Sequence, residues 1–150
     1  MRGTAALANA KLIYQRFKQI FEGDRFKQLQ AKGAPVQRPL WASTGTKNPA
    51  YSDIKYVQEL IGPDTVNTMP PATMDAFRDH GQPRETLEQG LTEAAETARR
   101  LTDAGINLIE IGEQLQQEGV ESFDQSFVDL MATIKSRRST LVAARGTARL

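Results

Sequence analysis

The segment Arg38-Pro39-Leu40-Trp41-Ala42-Ser43-Thr44-Gly45-Thr46-Lys47-Asn48 constrains what this chain can fold into more than any other. A short apolar run passes directly into a loop of hydroxyls, a glycine and a lysine, and a helical pattern follows. Leu40 to Ser43 is too short and too apolar for a surface hairpin strand; it fits a parallel strand buried on both faces. A second unit follows at once. Thr65 to Met69 reads as a strand, Pro71 opens a helix running to His80, and Gly81 closes it. The pattern from Leu40 to Gly81 is βαβα. Two parallel strands alone leave edges that no ordinary architecture tolerates. The expected fold is therefore α/β: the last two βα units of an eight-stranded (β/α)8 TIM barrel, followed by C-terminal helices. Such a barrel takes roughly 250 residues, so a chain of 150 residues is expected to be one partial domain. Its parts are helices over 1–33, two βα units over 38–81 and C-terminal helices over 84–145.

The flanking sequence reads as helix. Ala6, Ala10, Ile13, Phe17 and Ile20 recur three and four apart and predict an apolar stripe on a first helix ending at Gly23. Phe26 and Leu29 predict a second short helix ending near Gly33. A helical pattern that begins almost at Met1 with no cap before it is expected of a chain cut from something longer. Ser52 is expected to cap the helix carrying Ile54, Val57, Leu60 and Ile61, with Asp53 in its first turn. Leu87, Leu91, Ala94, Ala98 and Leu101 predict one face of a long helix ending at Gly105. Asn107 with Glu110, then Ser122 with Gln125, predict two capping boxes and two separate helices divided at Gly119.

Composition excludes more than it selects. The chain has no cysteine, which rules out disulfides, thiol catalysis and cysteine-bound metal. A formal net charge of +1 argues neither for nucleic acid nor for a strongly acidic partner, so no nucleic-acid partner is expected, and no apolar run is long enough for a membrane span. With no secretory leader at the start, the expected location is cytoplasmic.

The loop after Ser43 carries the chemistry. Backbone N–H groups near Gly45, the hydroxyls of Ser43, Thr44 and Thr46, and the Lys47 ammonium can converge on one anion. The loops after the last two barrel strands often hold a substrate phosphate. The loop is not a nucleotide P-loop, lacking both its glycine spacing and its Lys-Ser/Thr pair. From the loop alone, an ordinary solvated turn remains the other reading.

The longer string, Arg38 through Asp53, then Tyr56-Val57, then Asp64-Thr65-Val66-Asn67-Thr68-Met69-Pro70, resembles the C-terminal part of transaldolase, of the longer bacterial type. Ala8-Asn9-Ala10-Lys11 with Tyr14-Gln15, the Asp79-His80-Gly81 turn and the Gly119-Val120 corner extend the resemblance from about Ala6 to about Ile134. It implies a barrel enzyme of the non-oxidative pentose phosphate pathway that moves a dihydroxyacetone unit between sugar phosphates without a metal or organic cofactor. The family works through a lysine Schiff base whose protonated imine takes up electrons as a carbon–carbon bond breaks. Its lysine lies on the fourth strand and its acid/base carboxylates on the first and third, none of which this chain contains. By the same resemblance Lys47 matches the phosphate-binding cation, an arginine in the shorter transaldolases. The lysine keeps the charge and loses the bidentate fork. The resemblance thus implies a phosphate site of Ser43, Thr44, Thr46 and Lys47, no catalytic residue in this chain, and no activity without the missing N-terminal part.

Other residues take plainer roles. Lys11, Lys18, Lys27, Lys32, Lys55 and Lys135 fall on helical patterns and are expected to be solvated. His80 is expected as a favourable charge at a helix C-terminus, Trp41 as core, and Phe123, Phe127 and Leu130 as a helix packing face. Beyond Asp129 come Lys135, Arg137, Arg138, Arg145 and Arg149 with no acid, a basic tail expected to be solvated. The alternative to an enzyme segment is a non-catalytic helical module used for self-association.

Overall fold

A computed structural model describes residues 3–147, with side chains as far as residue 144. The elements are α1 (Ala5–Phe21), α2 (Asp24–Gln30), β1 (Leu40–Trp41), α3 (Lys55–Glu59), β2 (Val66–Asn67), α4 (Pro71–His80), α5 (Leu91–Asp103) and α6 (Leu108–Thr147). They form two compact units, Met1–Gly105 and Ile106–Leu150. No helix among the described residues is long and apolar enough to cross a membrane.

The first unit contains the βαβα pattern. β1 and β2 pair in parallel, Leu40 with Val66 and Trp41 with Asn67, through Val66 N–H to Pro39 O and Thr68 N–H to Trp41 O, each 2.9 Å. Both strands are shorter than the sequence predicts. Ser43 adopts φ +55°, a left-handed conformation that cannot continue a ladder, so β1 stops before it. Nor is β1 buried on both faces. Trp41 is in the core while Leu40 is 53% exposed, because the helices of this unit cover only the Trp41 side.

The core gathers Leu7, Ala10 and Tyr14 of α1, Trp41 of β1, Leu60 after α3, and Leu87, with Phe17 and Tyr56 packed against them. α1 keeps Ala10 and Phe17 of the predicted stripe at the core but turns toward Leu7 and Tyr14, leaving Ile13 and Ile20 each 47% exposed. α1 is apolar on both adjacent stripes, so periodicity gave the helix but not its phase; packing against α5 selects the face. An aromatic row, Tyr14–Phe17–Phe21–Phe26, with centroids 5.7, 5.0 and 4.6 Å apart, carries the packing from α1 into α2. Between those helices a Cβ on Gly23 would lie 2.8 Å from Gln19 O, which fixes glycine at the turn.

Leu87 does not belong to the long helix predicted for it. Gly90, at φ +66°, precedes α5, which starts at Leu91. Residues 86 and 87 instead tie back to α3: both backbone N–H groups donate to Ile61 O, and Thr86 Oγ1 donates to Gln58 O at 2.6 Å. Leu87 is thereby wholly buried. Ser52 does not cap α3, whose N-cap position is Ile54; Ser52 contributes only its carbonyl, to Lys55 N–H.

Lys11 corrects the expectation of a solvated charge. It is buried, and its ammonium donates to Gln89 O at 2.8 Å, Thr86 O at 3.3 Å and Glu59 Oε2 at 3.3 Å. The turn before α5 presents carbonyls with no ladder to join, and Lys11 satisfies them from α1. Replacing Lys11 by Met keeps the aliphatic stem and orphans those acceptors. The expected loss is about 2–3 kcal/mol, read as a lower urea midpoint; an unchanged midpoint would contradict the role.

α6 is one helix of 40 residues, not two. Asn107 does cap it, its Oδ1 accepting from Ile109 N–H at 3.0 Å and its Nδ2 donating to Glu110 Oε1 at 2.8 Å. Gly119 is no stop, and Ser122 sits mid-helix, its carbonyl accepting from Ser126 Oγ. A mid-helix glycine costs only about 1 kcal/mol. Side-chain bonds four residues apart, Gln114 to Glu118, Gln117 to Glu121 and Gln125 to Asp129, span the region and offset it. Lys135, Arg137 and Arg138 lie on α6; the Arg145 side chain and Arg149 fall outside the described residues.

Candidate functional site

The loop after β1 and the first turn of α4 meet at the C-terminal ends of the two strands. Between them lies an open cleft of about 500 Å³ lined by Ser43, Gly45, Thr46 and Lys47 on one side and by Thr68 to Pro70, Ala72 and Thr73 on the other. The loop cannot stand off from the helix. A Cβ on Gly45 would lie 2.9 Å from Pro70 Cγ and 3.2 Å from Thr73 Oγ1, so only glycine allows this approach.

Three of the four expected residues, Ser43, Thr46 and Lys47, line the cleft. Thr44 does not. It is buried, with its hydroxyl donating to Asn67 Oδ1 at 2.6 Å and lying 3.2 Å from Thr68 O. Its N–H donates to Thr68 O at 3.3 Å. Thr44 therefore pins the loop to β2 rather than facing the cleft. Ser43, next to it, is exposed in its left-handed conformation.

The polar groups facing the cleft favour an anion. Pro71 occupies the first position of α4, and the first intrahelical acceptor is Pro70 O, taken by Met74 N–H. The N–H groups of Ala72 and Thr73 are thus outside the helical ladder, at the positive end of the helix dipole. The Lys47 side chain is exposed, and among the described residues it has no hydrogen-bond or ion-pair partner. Among the described residues, Thr46 Oγ1 and Trp41 Nε1 are shielded from solvent and have no hydrogen-bond partner. Orphaned buried groups cost about 1–3 kcal/mol each, and these two lie on β1 and the adjoining loop. The sequence could single out the hydroxyl–glycine–lysine loop. It gave no sign of Thr68, Ala72 and Thr73, which come to the cleft only because β2 pairs with β1.

His80 stands apart from the cleft, at the end of α4. Its Nε2 lies 3.0 Å from Asp53 Oδ1 and its Nδ1 3.2 Å from Asp79 Oδ2. Bonding to Asp53, then to Asp79, raises the imidazole above its ordinary 6.5, and the same bond lowers Asp53 below 3.8. Asp53 thus pairs first with the histidine, and backbone N–H groups of Asp53 and Ile54, at the start of α3, also hold its value down. Because the His80 value is raised on folding, its contribution to stability is full below about pH 6.5 and fades as pH rises through the raised value. The Asp53 contribution has the opposite sense and is lost as pH falls through the lowered value. As the single histidine, His80 gives one resolved NMR titration. Its midpoint is expected above 6.5 and should fall toward it in Asp53→Asn; a midpoint that ignores the substitution would contradict the pairing.

Comparison with known proteins follows the same region. Residues 1–134 match the family model described as Transaldolase/Fructose-6-phosphate aldolase. The chain is 47% identical over 139 residues to a transaldolase of Trichodesmium erythraeum, covering 91% of the chain and 37% of that protein. It is 48% identical over 139 residues to Transaldolase 2 of a Nostoc species, covering 91% and 36%. With Transaldolase 1 of Streptomyces coelicolor the identity is 47% over 135 residues, covering 89% and 35%. The chain spans little more than a third of the length of these relatives.

Proposed function

The chain belongs to the transaldolase/fructose-6-phosphate aldolase family, and on that premise we propose that it supplies the substrate-phosphate end of a transaldolase site. In this reading the βαβα segment is the last two βα units of a TIM barrel, residues 1–150 are one partial domain of it, and the remaining strands come from an N-terminal part. The complete enzyme, cytoplasmic and in the pentose phosphate pathway, transfers a dihydroxyacetone unit from a ketose phosphate such as sedoheptulose 7-phosphate to glyceraldehyde 3-phosphate. Its Schiff-base lysine and its proton-moving carboxylates lie in that absent part.

The observation that carries the reading is the cleft itself. A cation, hydroxyls and free helix N–H groups converge at the C-terminal ends of paired parallel strands, the position at which α/β barrels bind phosphate. Lys47 neutralises charge, Ser43 offers a hydroxyl donor, Thr46 lines the cleft with its Oγ1 shielded from solvent, and Thr44 fixes the loop from behind. Ala72 and Thr73 N–H complete the cradle. Anchoring the phosphate here holds the far end of the sugar and leaves its carbonyl end directed toward the missing strands. The exposed face of Leu40 supports the same reading, since an added strand would cover it. Resupplying the N-terminal part tests it: activity that appears on reassembly and depends on Lys47 is expected, and a reassembled, folded, inactive barrel would overturn it. The alternative, a non-catalytic self-association module, finds support in α6 and leaves the cleft without a role.

A further inference from the structure

Lys47 stands on a segment that meets α4 at two points. At one, Gly45 sits against Pro70 and Thr73 at the head of the helix, so closely that an added Cβ would lie 2.9 Å from Pro70 Cγ. At the other, Asp53 Oδ1 lies 3.0 Å from Nε2 of His80, the last residue of the helix. From Thr73 to His80 is about 10 Å along the axis, whereas the chain from Gly45 to Asp53 could reach about 30 Å if extended. The slack is folded into a turn, in which Tyr51 N–H donates to Asn48 O at 3.0 Å and Ala50 N–H to Asn48 Oδ1 at 2.9 Å. Among the described residues, the Asp53–His80 contact is the only hydrogen bond between 45–53 and α4. It therefore decides how closely the turn after Lys47 is drawn to the helix whose first N–H groups face the cleft.

Both nitrogens of the His80 ring face carboxylates, Nε2 that of Asp53 and Nδ1 that of Asp79 at 3.2 Å. A carboxylate only accepts, so both contacts are hydrogen bonds only while the ring holds two protons. Loss of either proton sets one carboxylate against a lone pair, and a bond kept to Asp53 loses its charge assistance. Nearby cations are engaged elsewhere: Arg78 lies 3.5 Å from Asp75 on α4, and Lys55 of α3 lies over the Tyr51 ring. Asp53 and Asp79 are the charged groups that bear on the ring. We propose that His80 is a positioning residue for the cleft: its bridge to Asp53 straps the Lys47 loop onto α4, and loss of a ring proton loosens the strap and weakens the hold on a tetrahedral dianion. This deepens the phosphate reading of the cleft and rests on it.

NMR of the isotope-labelled full chain across neutral pH tests it in two steps. Without ligand, the Thr46 and Lys47 amide shifts should follow the midpoint of the His80 ring and lose that dependence in Asp53→Ala. Shifts that ignore His80 would overturn the strap. The second step uses sulfate, a dianion throughout, because phosphate gains its second charge at about pH 6. Its Kd, read from the Gly45, Lys47, Ala72 and Thr73 amides, should rise about 3- to 5-fold as His80 deprotonates. In Asp53→Ala the Kd should hold the weaker value at every pH. A pH dependence that survives that substitution would be a through-space effect of the ring charge and would contradict the proposal. Asp79→Asn keeps the strap and removes one of the two carboxylates, so the His80 midpoint and the pH of the Kd change should fall together; a Kd change that stays in place would also contradict it. If the amides of the free chain follow His80 yet sulfate perturbs none of the cleft amides, the phosphate reading fails, and the effect on affinity falls with it.

Discussion

Combining this chain with the N-terminal part of a transaldolase is expected to restore transfer of dihydroxyacetone, and the chain alone is expected to show none. The expected effect is the whole rate enhancement of the reaction. A covalent step cannot be replaced by binding, and enzymes of this power accelerate their reactions by at least about a millionfold. Nothing around the cleft compensates. Lys47 stands exposed at the mouth, with no carboxylate or hydroxyl bonded to it among the described residues. Lys11, the buried lysine, is committed to Gln89 O, Thr86 O and Glu59. Reassembly covers Leu40 and the strand edges, so the parts should associate without a linker, and a fused chain serves as the control. Consumption of glyceraldehyde 3-phosphate, assayed with a coupled dehydrogenase, reports the outcome. Turnover by the chain alone would contradict the proposed division of labour.

In the reassembled enzyme, Lys47→Ala should raise KM for phosphorylated sugars by about 10- to 100-fold, the equivalent of about 1.5–3 kcal/mol for a charged hydrogen bond to phosphate. kcat should change little, because the contact is made alike in the ground state and the transition state. Lys47→Arg should retain most of the affinity, since charge matters more here than fork geometry. An unphosphorylated ketose supplies the second arm: its KM should be indifferent to Lys47. Thr44→Val removes no group that faces the cleft, yet should also raise KM by releasing the loop from Asn67 and Thr68. Unchanged KM for phosphorylated sugars in Lys47→Ala would remove the cation from the site.

The parts of the fold set by local chemistry were legible in the sequence. Pro71 at the head of α4, Gly81 after it, the Asn107–Glu110 cap and the βαβα order each follow from one or a few neighbouring residues. What depended on tertiary neighbours was not. The phase of α1 turned on α5, so Leu7 and Tyr14 took the core from Ile13 and Ile20. Lys11 read as a surface charge because the carbonyls it satisfies are more than 70 residues away. α6 showed two cap signals where the structure has one helix, because a glycine's cost is small beside the bonds that span it. In the candidate site, the residue types of the loop were readable and their directions were not. Thr44 and Thr46 are two apart in a hydroxyl-rich stretch, and only the pairing with β2 turns the first inward and leaves the second beside the cleft.

The central claim, that this chain holds the phosphate end of the site and none of the covalent chemistry, is tested most directly by intact mass. The folded chain, its helicity checked by circular dichroism, is incubated with fructose 6-phosphate and borohydride, which traps any Schiff base as a stable secondary amine. The account predicts an unchanged mass. A covalent adduct of a reduced dihydroxyacetone unit on this chain would place a competent lysine within it and contradict the assignment of Lys47 to phosphate.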